Sequence, residues 1–191
     1  MADEPELDLA VLFRANTPGL AGAVRGILGV RADVHEVLQE AFLRAWRAVE
    51  DGRRPSDPKA WIFVLTLNLA RDELRRRRRR APRTDIDEVD ELRLQTTEPG
   101  PARRLEGAET LAAAREAIHA LSGPEKEVFL LRASGELTFT AVAEALSIPV
   151  GTAKTRMRAA LRELRARLAR HAPPTGTPAP DASIETQGEA R

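Results

Sequence analysis

Residues 137–168 read LTFTAVAEALSIPVGTAKTRMRAALRELRARL, two helical patterns joined by a short corner. In the first, Phe139, Val142, Ala143 and Leu146 recur at i, i+3, i+4 and i+7 and so share one face. Thr138 stands where a helix cap belongs. The corner is Ser147-Ile148-Pro149, and Pro149 suits a first helical turn, where a missing N–H costs nothing. In the second pattern Val150, Ala153, Met157, Ala160, Leu164 and Leu168 form an inward stripe. Thr155, Arg158 and Arg162 lie opposite, with Lys154 and Arg165 on one flank. This is the arithmetic of a helix-turn-helix whose second helix enters a DNA major groove. An amphipathic hairpin with a solvated basic face fits the same pattern.

Composition narrows the field. The 191 residues carry 30 Lys+Arg against 29 Asp+Glu, a net charge of only +1. The charges are unevenly spread. Residues 75–80 are all arginine, and Asp85, Asp87, Glu88, Asp90 and Glu91 follow closely. Such local patches, more than the total, govern nucleic-acid binding. With no cysteine, disulfides and thiolate metal sites are excluded, which suits a cytoplasmic protein. No apolar run approaches the length needed to cross a bilayer, so no membrane insertion is expected. His35, His119 and His171 have no metal-ligand spacing, and no Cys/His pair or glycine-rich phosphate loop points to catalysis. No metal, cofactor or enzymatic activity is expected.

Helical periodicity organises the rest, and no segment alternates with period two, so the chain reads as all-α: two small helical domains on a flexible linker. The first domain, 7–80, opens with a short helix (Leu9, Leu12, Phe13). A second helix is expected from Thr17 as cap with Pro18 at its first position, continuing through Leu20, Val24, Ile27 and Leu28 to Gly29. A third, about 33–49, turns Leu38, Ala41, Phe42, Ala45 and Val49 inward and Glu36, Gln39, Glu40, Arg44 and Arg47 outward. Gly52, Pro55 and Pro58 mark a loop. A fourth helix, about 58–80, starts apolar nearly all round and ends wholly charged, as a buried helix with a projecting basic end does. Residues 81–107, acidic and broken by Pro82, Pro99, Gly100 and Pro101, read as flexible linker. The second domain, 109–170, begins with Leu111, Ala114, Ile118 and Leu121 on one face, turns at Ser122-Gly123-Pro124, and runs through Val128, Phe129 and Leu131 to Gly135 and the helix-turn-helix. The tail, 171–191, reads as disordered by composition.

Three runs carry a resemblance to a known family. DVHEVLQEAFLRAW is similar to the D-A-E-D-L-V-Q-E-x-F-L-R-A-W signature of the second domain of bacterial sigma factors. AWIFVLTLNLARDELRRRRRR resembles the A-W-L-x-x-I-A-R-N-x-x-x-D-x-x-R helix of that domain. LSGPEKEVFLLRASGELTFTAVAEALSIPVGTAKTRM resembles the sigma fourth domain, with its I-P-V-G-T-V-K-S-R ending. Their order, separated only by a linker, resembles an extracytoplasmic-function (ECF) sigma factor of RNA polymerase.

That resemblance implies partners and residue roles. Core RNA polymerase (β′ clamp and β flap) and promoter DNA are the implied partners, and an anti-sigma factor is a further candidate. Asp33, Glu36, Gln39 and Glu40 match the helix that docks on the clamp, with His35 where the family usually has an acid. Loop 51–58 corresponds to the segment that captures an extruded minus-ten base. Trp61 is a candidate stacking aromatic, but its place in the apolar stripe favours the core. Asn68 matches the family's Asn, while Leu67 replaces the Arg before it. Arg71, Arg75 and the rest of the arginine run would follow the phosphate backbone. For the upstream (minus-thirty-five) element, Thr152, Lys154 and Thr155 match the motif, Arg158 replaces a usual aromatic or His, and Arg162 lies one turn on. Ala159-Ala160-Leu161 replaces the common R-A-R and removes two cations. A stand-alone helix-turn-helix regulator would explain the second domain but not the acidic and apolar helices of the first.

Overall fold

A computed structural model describes residues 7–29, 32–80 and 101–171, and these contain seven helices and no strand. Most of the linker and tail expected from composition lie outside the described residues.

Helix α1 (Leu9–Leu28) is continuous where two helices were expected. Its cap is Asp8, whose carboxylate accepts from the Val11 N–H at 2.9 Å. Pro18 lies inside it and Thr17 caps nothing. Instead the Thr17 hydroxyl donates to the Phe13 carbonyl and the Asn16 amide to the Leu12 carbonyl, each at 2.8 Å. These back-bonds supply donors in the turn where proline removes one. Leu9, Phe13, Leu20, Ala23, Val24 and Ile27 bury one side of the helix along its whole length, which holds it together across the proline. Gly29 ends it at φ +82, with its N–H on the Arg25 carbonyl.

Helix α2 (Val34–Glu50) is capped by Asp33, whose carboxylate accepts from the Glu36 N–H at 3.0 Å. Val37, Ala41 and Ala45 form its buried line, and Phe42 meets Phe13 edge-on with ring centroids 5.3 Å apart. Helix α3 (Pro58–Arg80) is capped by Asp57 through the Ala60 N–H. Ile62, Phe63, Thr66, Leu67 and Ala70 are buried in it, and the Thr66 hydroxyl is satisfied by donating to the Ile62 carbonyl. The all-round apolar start thus does mark a central helix, packed between α1 and α2.

Helix α4 (Pro101–His119) opens inside the stretch read as linker. Pro101 is tolerated in a first turn. Leu111, expected inward, is exposed, and Ala117 and Leu121 take the buried positions. Helix α5 (Gly123–Ala133) leads through Gly135 to the helix-turn-helix: α6 (Phe139–Ala145) and α7 (Val150–His171). Thr138 caps α6, accepting from the Ala141 N–H at 3.1 Å. Ser147 takes the corner at φ +54. Ala153, Ala160 and Leu164 are buried as the stripe requires, whereas its ends, Val150 and Leu168, are exposed.

The two helical blocks do not stand apart. One apolar core joins Leu20, Val24, Ile62, Phe63 and Leu67 to Val128, Leu130, Leu131, Leu137 and Val142. The contact is close because α1 shows glycine to block two. A Cβ on Gly19 would lie 2.2 Å from the Ser134 carbonyl oxygen, and one on Gly26 would lie 2.5 Å from a Leu130 methyl. Phe63, fully buried, reaches from α3 to both Gly19 and Gly135. Phe63→Ala is therefore expected to cost about 3–5 kcal/mol. Because the core is shared, thermal unfolding should lose α1–α3 and α5–α7 together in one transition. Two separated transitions, with only the first shifted, would show that the blocks fold independently.

Candidate nucleic-acid and protein interfaces

Helix α7 presents the candidate upstream-element residues in one patch. Ala153 is buried in the core shared with α5 and α6, and Ala160 is buried with Ala117 of α4 and Leu121, which leaves Lys154, Thr155, Arg158 and Arg162 exposed on the outer side. Thr152 is half-buried in the first turn, and the Thr155 hydroxyl donates to the Gly151 carbonyl at 2.9 Å, keeping its lone pairs outward. In the triplet where two cations are missing, Ala160 is core, and Ala159 and Leu161 are half-buried at its edges. The cations that remain exposed nearby are Arg158, Arg162 and Arg165. Upstream of α6, Arg132 donates to the Leu137 carbonyl, and its guanidinium carbon lies 4.6 Å from the centre of the Phe139 ring. Arg132 thereby ties the end of α5 to the start of the helix-turn-helix. The sequence reading missed this role; a cation seven residues before an aromatic carries no helical signal once a turn intervenes.

The candidate minus-ten residues occupy the solvent side of α3. Asn68 is exposed and its amide oxygen accepts from Arg71. Arg71 also pairs with Glu127 of α5, so this cation is held by block two. Leu67 is 1% exposed. An arginine there could not face DNA in this packing, so its replacement by leucine extends the core and removes no reader from the exposed face. Trp61 is half-buried against the core, as its stripe predicts, with the Arg53 guanidinium 5.8 Å from its ring centre. Loop 51–58 is braced by Arg54, which donates to the Val49 carbonyl at 2.9 Å.

The arginine run is partly neutralised by its own helix. Arg75 lies 3.3 Å from Asp72, and Glu73 accepts from Arg77 at 2.9 Å and pairs with Arg76. Hydrogen bonding by Arg77, reinforced by Arg76, holds the Glu73 carboxyl below its ordinary range against the opposing effect of burial. Arg78, Arg79 and Arg80 are exposed. Arg71, Arg75 and Arg78 also line a cleft of about 300 Å³ with Lys126 and His119 of block two. Desolvation, and next the charge of Arg78, push the Lys126 ammonium below its usual range, while its Nζ donates to the His119 carbonyl.

On α2, Glu36, Gln39 and Asp33 are exposed and Glu40 is half-buried, paired with Arg44 at 2.7 Å. Glu36, Gln39, Glu40 and Leu43 line a groove of about 480 Å³ whose other wall is Asp72, Glu73 and Arg76 of α3. Leu43 and Trp46 are large apolar groups left exposed on this helix, Trp46 at 47%. Neither was among the candidate docking residues, although neither lies on the Val37–Ala41–Ala45 line, and that mismatch is the signal the sequence carries for them. Among the described residues no three carboxylate or histidine groups gather as a metal site would require, and no helix is long and apolar enough to cross a membrane.

Residues 12–80 match Sigma-70 region 2, and residues 111–164 match Sigma-70, region 4. The ECF RNA polymerase sigma-E factor of Haemophilus influenzae is 30% identical over 135 residues, covering 66% of this chain and 70% of that protein. Its namesake in Escherichia coli (strain K12) is 27% identical over 132 residues, covering 65% and 68%. Among solved structures, the sigma factor RpoE of Bartonella quintana, crystallised with the anti-sigma factor NepR, superposes with a TM-score of 0.66 at 19% identity, over 85% of this chain and 97% of that one. CnrH, solved with the cytosolic domain of CnrY, gives 0.57 at 25% identity, over 86% and 89%.

The Glu73 bridge yields a pH test. Its carboxyl is depressed in the folded state, so its contribution is present above the unfolded pKa and lost as pH falls through the folded one. The stability gap between wild type and Glu73→Gln, below about 1 kcal/mol because both arginines are half-exposed, should be full at neutral pH and shrink as pH falls through and below the ordinary carboxylate range. Denaturant titration across that range checks it; a gap that widens on acidification reverses the sign.

The two matched regions, in order on one chain, together with the sigma-E relatives, place this protein in the family of ECF RNA polymerase sigma factors.

Proposed function

We propose that this chain docks on core RNA polymerase through the outer face of α2, contacts the minus-ten element through α3, and reads the upstream element through α7. The observation that carries the reading is the division of α7. Ala153, Ala160 and Leu164 are buried, and Lys154, Thr155, Arg158 and Arg162 stand together in solvent on the second helix of a helix-turn-helix. That face has the donors needed for base edges and phosphates, and its width suits a major groove. Block one adds what a stand-alone regulator lacks, an acidic and amide-bearing helix with exposed Leu43 and Trp46. Apolar groups ringed by charge are the composition of a protein-docking surface, and its negative members complement a basic partner. We assign Asp33 chiefly to capping α2, since its carboxylate already accepts the Glu36 N–H. Glu36, Gln39 and Glu40 remain the docking residues, joined by Leu43 and Trp46.

In this scheme Asn68 and Arg71 meet the minus-ten strand, and the arginines beyond them follow its phosphates. Chemistry on the promoter is left to the polymerase. The β flap is assigned to block two, and the cytoplasm, where polymerase and promoter meet, is the expected compartment. The anti-sigma factor named with the RpoE neighbour makes such a protein a candidate third partner here.

The direct test is transcription. Purified chain added to core polymerase should produce specific initiation from a genomic promoter library and should co-purify with core. Tight sequence-specific binding by the free chain with no stimulation of polymerase would support the lone regulator instead.

Charge reversal at Glu36 and Glu40 to Lys should abolish holoenzyme assembly at unchanged helicity, since like charges against a basic partner cost several kcal/mol. Active holoenzyme from the double variant would remove α2 from the docking assignment.

The two DNA contacts separate by chemistry. Lys154→Ala or Arg158→Ala should shift preference within a randomised upstream hexamer, at a cost of about 1–3 kcal/mol at one position. Substituting arginines in 75–80 should weaken all promoters alike and flatten the salt dependence. Uniform loss from the α7 variants would mean that they hold the backbone only.

A further inference from the structure

The seam between the two blocks, where α1 and α3 meet α4 and α5, holds a cleft of about 300 Å³ whose cations come from both sides. Arg71, Arg75 and Arg78 stand at i, i+4 and i+7 on α3, and Lys126 of α5 lines the cleft with them, beside His119 at the end of α4. Lys126 is 9% exposed, and one of its three donors is used on the His119 carbonyl. Gly123, the first residue of α5, opens on the same space, and a Cβ there would meet nothing within 4 Å. The Ser122 side chain makes no cap bond, so the positive end of α5 has no side-chain cap. Among the described residues, Arg71 is paired with Glu127 and Arg75 with Asp72, so the four cations exceed these carboxylates by two charges. Ile27, Leu74 and Leu121 supply the apolar part of the lining.

We infer that this cleft is a binding site for a small molecule carrying a diphosphate group, gripped by the α3 arginines on one side and by Lys126 and the start of α5 on the other. Charge, reach and depth select that ligand. A phosphoryl group carries about −1.5 to −2 near neutrality, so the surplus and the positive end of α5 together neutralise most of a diphosphate. The row from Arg71 to Arg78 covers about 10.5 Å of helix axis at 1.5 Å per residue, and contact along all of it calls for more than one phosphoryl group. Arginine forks and helix N-termini are well matched to such oxygens. A free diphosphate can enter as far as Lys126. A phosphate held in a nucleic-acid backbone carries neighbours on both sides and stays at the rim, on the exposed Arg75 and Arg78. Like charges are already crowded here. Lys126 is held below its ordinary range by desolvation and then by Arg78, and Arg115, one turn before His119, by desolvation and then by Arg25 of α1. A bound anion would offset that repulsion. The volume is at the lower end for small-molecule sites, which leaves room for a small carrier only. The site stands independently of the promoter assignments, although its ligand would share Arg71 and Arg75 with minus-ten DNA.

Calorimetric titration of the full chain with inorganic pyrophosphate at constant ionic strength tests the site. One equivalent should bind. Lys126→Met, which keeps most of the side chain's length without its charge, should weaken binding about tenfold or more. Arg78→Gln, at an exposed position outside the core, should weaken it about threefold or more, whereas Arg170→Ala near the end of α7 should leave it unchanged. No binding by the wild type, or equal binding by Lys126→Met and Arg78→Gln, would overturn the inference. Should Lys126→Met lose its helical fold, Arg78→Gln decides alone, and unchanged affinity there removes the site. Sulfate at the same ionic strength should bind about tenfold more weakly than pyrophosphate; equal affinity would reduce the cleft to a general anion patch and sink the diphosphate assignment. A single-stranded DNA of about 12 nucleotides separates the cleft from a nucleic-acid track. Lys126→Met should change the affinity for that strand less than about twofold. Parallel loss of DNA and pyrophosphate binding would make Lys126 part of the DNA track and overturn the small-molecule site.

Discussion

The fold depends on how closely α1 can approach the turn after α5. Where most helix pairs are held apart by side chains, here the Ser134 carbonyl sits almost on the α1 backbone at Gly19. That approach lets Phe63 lie beneath both Gly19 and Gly135 and fuses two small apolar clusters into one. Each block alone has few core residues, and domains of about 60–70 residues are marginal because they bury too little of their surface. Three helix-interior glycines cost α1 about 1 kcal/mol each relative to alanine. Burial of Leu130, Leu131 and Leu137 across the seam offsets that cost, since a fully buried Leu is worth about 1.5–3 kcal/mol.

Electrostatics follow the same division between what is sealed and what is offered. Along α3 the cations change role with position. Arg71 is spent on Glu127, Arg75 to Arg77 are answered by Asp72 and Glu73, and the last three arginines are exposed. A chain with net charge +1 can therefore still carry concentrated positive surfaces, on the end of α3 and on α7, while Arg76 and Arg79 share a groove with the acidic and apolar residues of α2. Exposed ion pairs within α3, such as Arg75 with Asp72, are individually weak.

The outline of the fold was legible in the chain because its signals are local. The cap at Thr138, the Ser147-Ile148-Pro149 corner and the span of α3 depend on neighbours a few residues away, and the structure has them as read. Proline misled at position 18, where a strong stop signal was outweighed by continuous burial on both sides. The sigma-type assignment was legible too, since sequence order brings both matched regions onto one chain.

Helical period by itself determined which residues share a face: the inward Ala153–Ala160–Leu164 line, and hence the outward Lys154, Thr155, Arg158 and Arg162. It could not say what covers a face or how far along the cover extends. Tertiary structure alone decided that Leu111, Val150 and Leu168 end in solvent. It also decided that Arg71 is answered by Glu127, fifty-six positions away in sequence. The physical reason is range. Capping and periodicity act within one or two turns of a helix, whereas burial and ion pairing across the seam exist only once distant segments have been brought together.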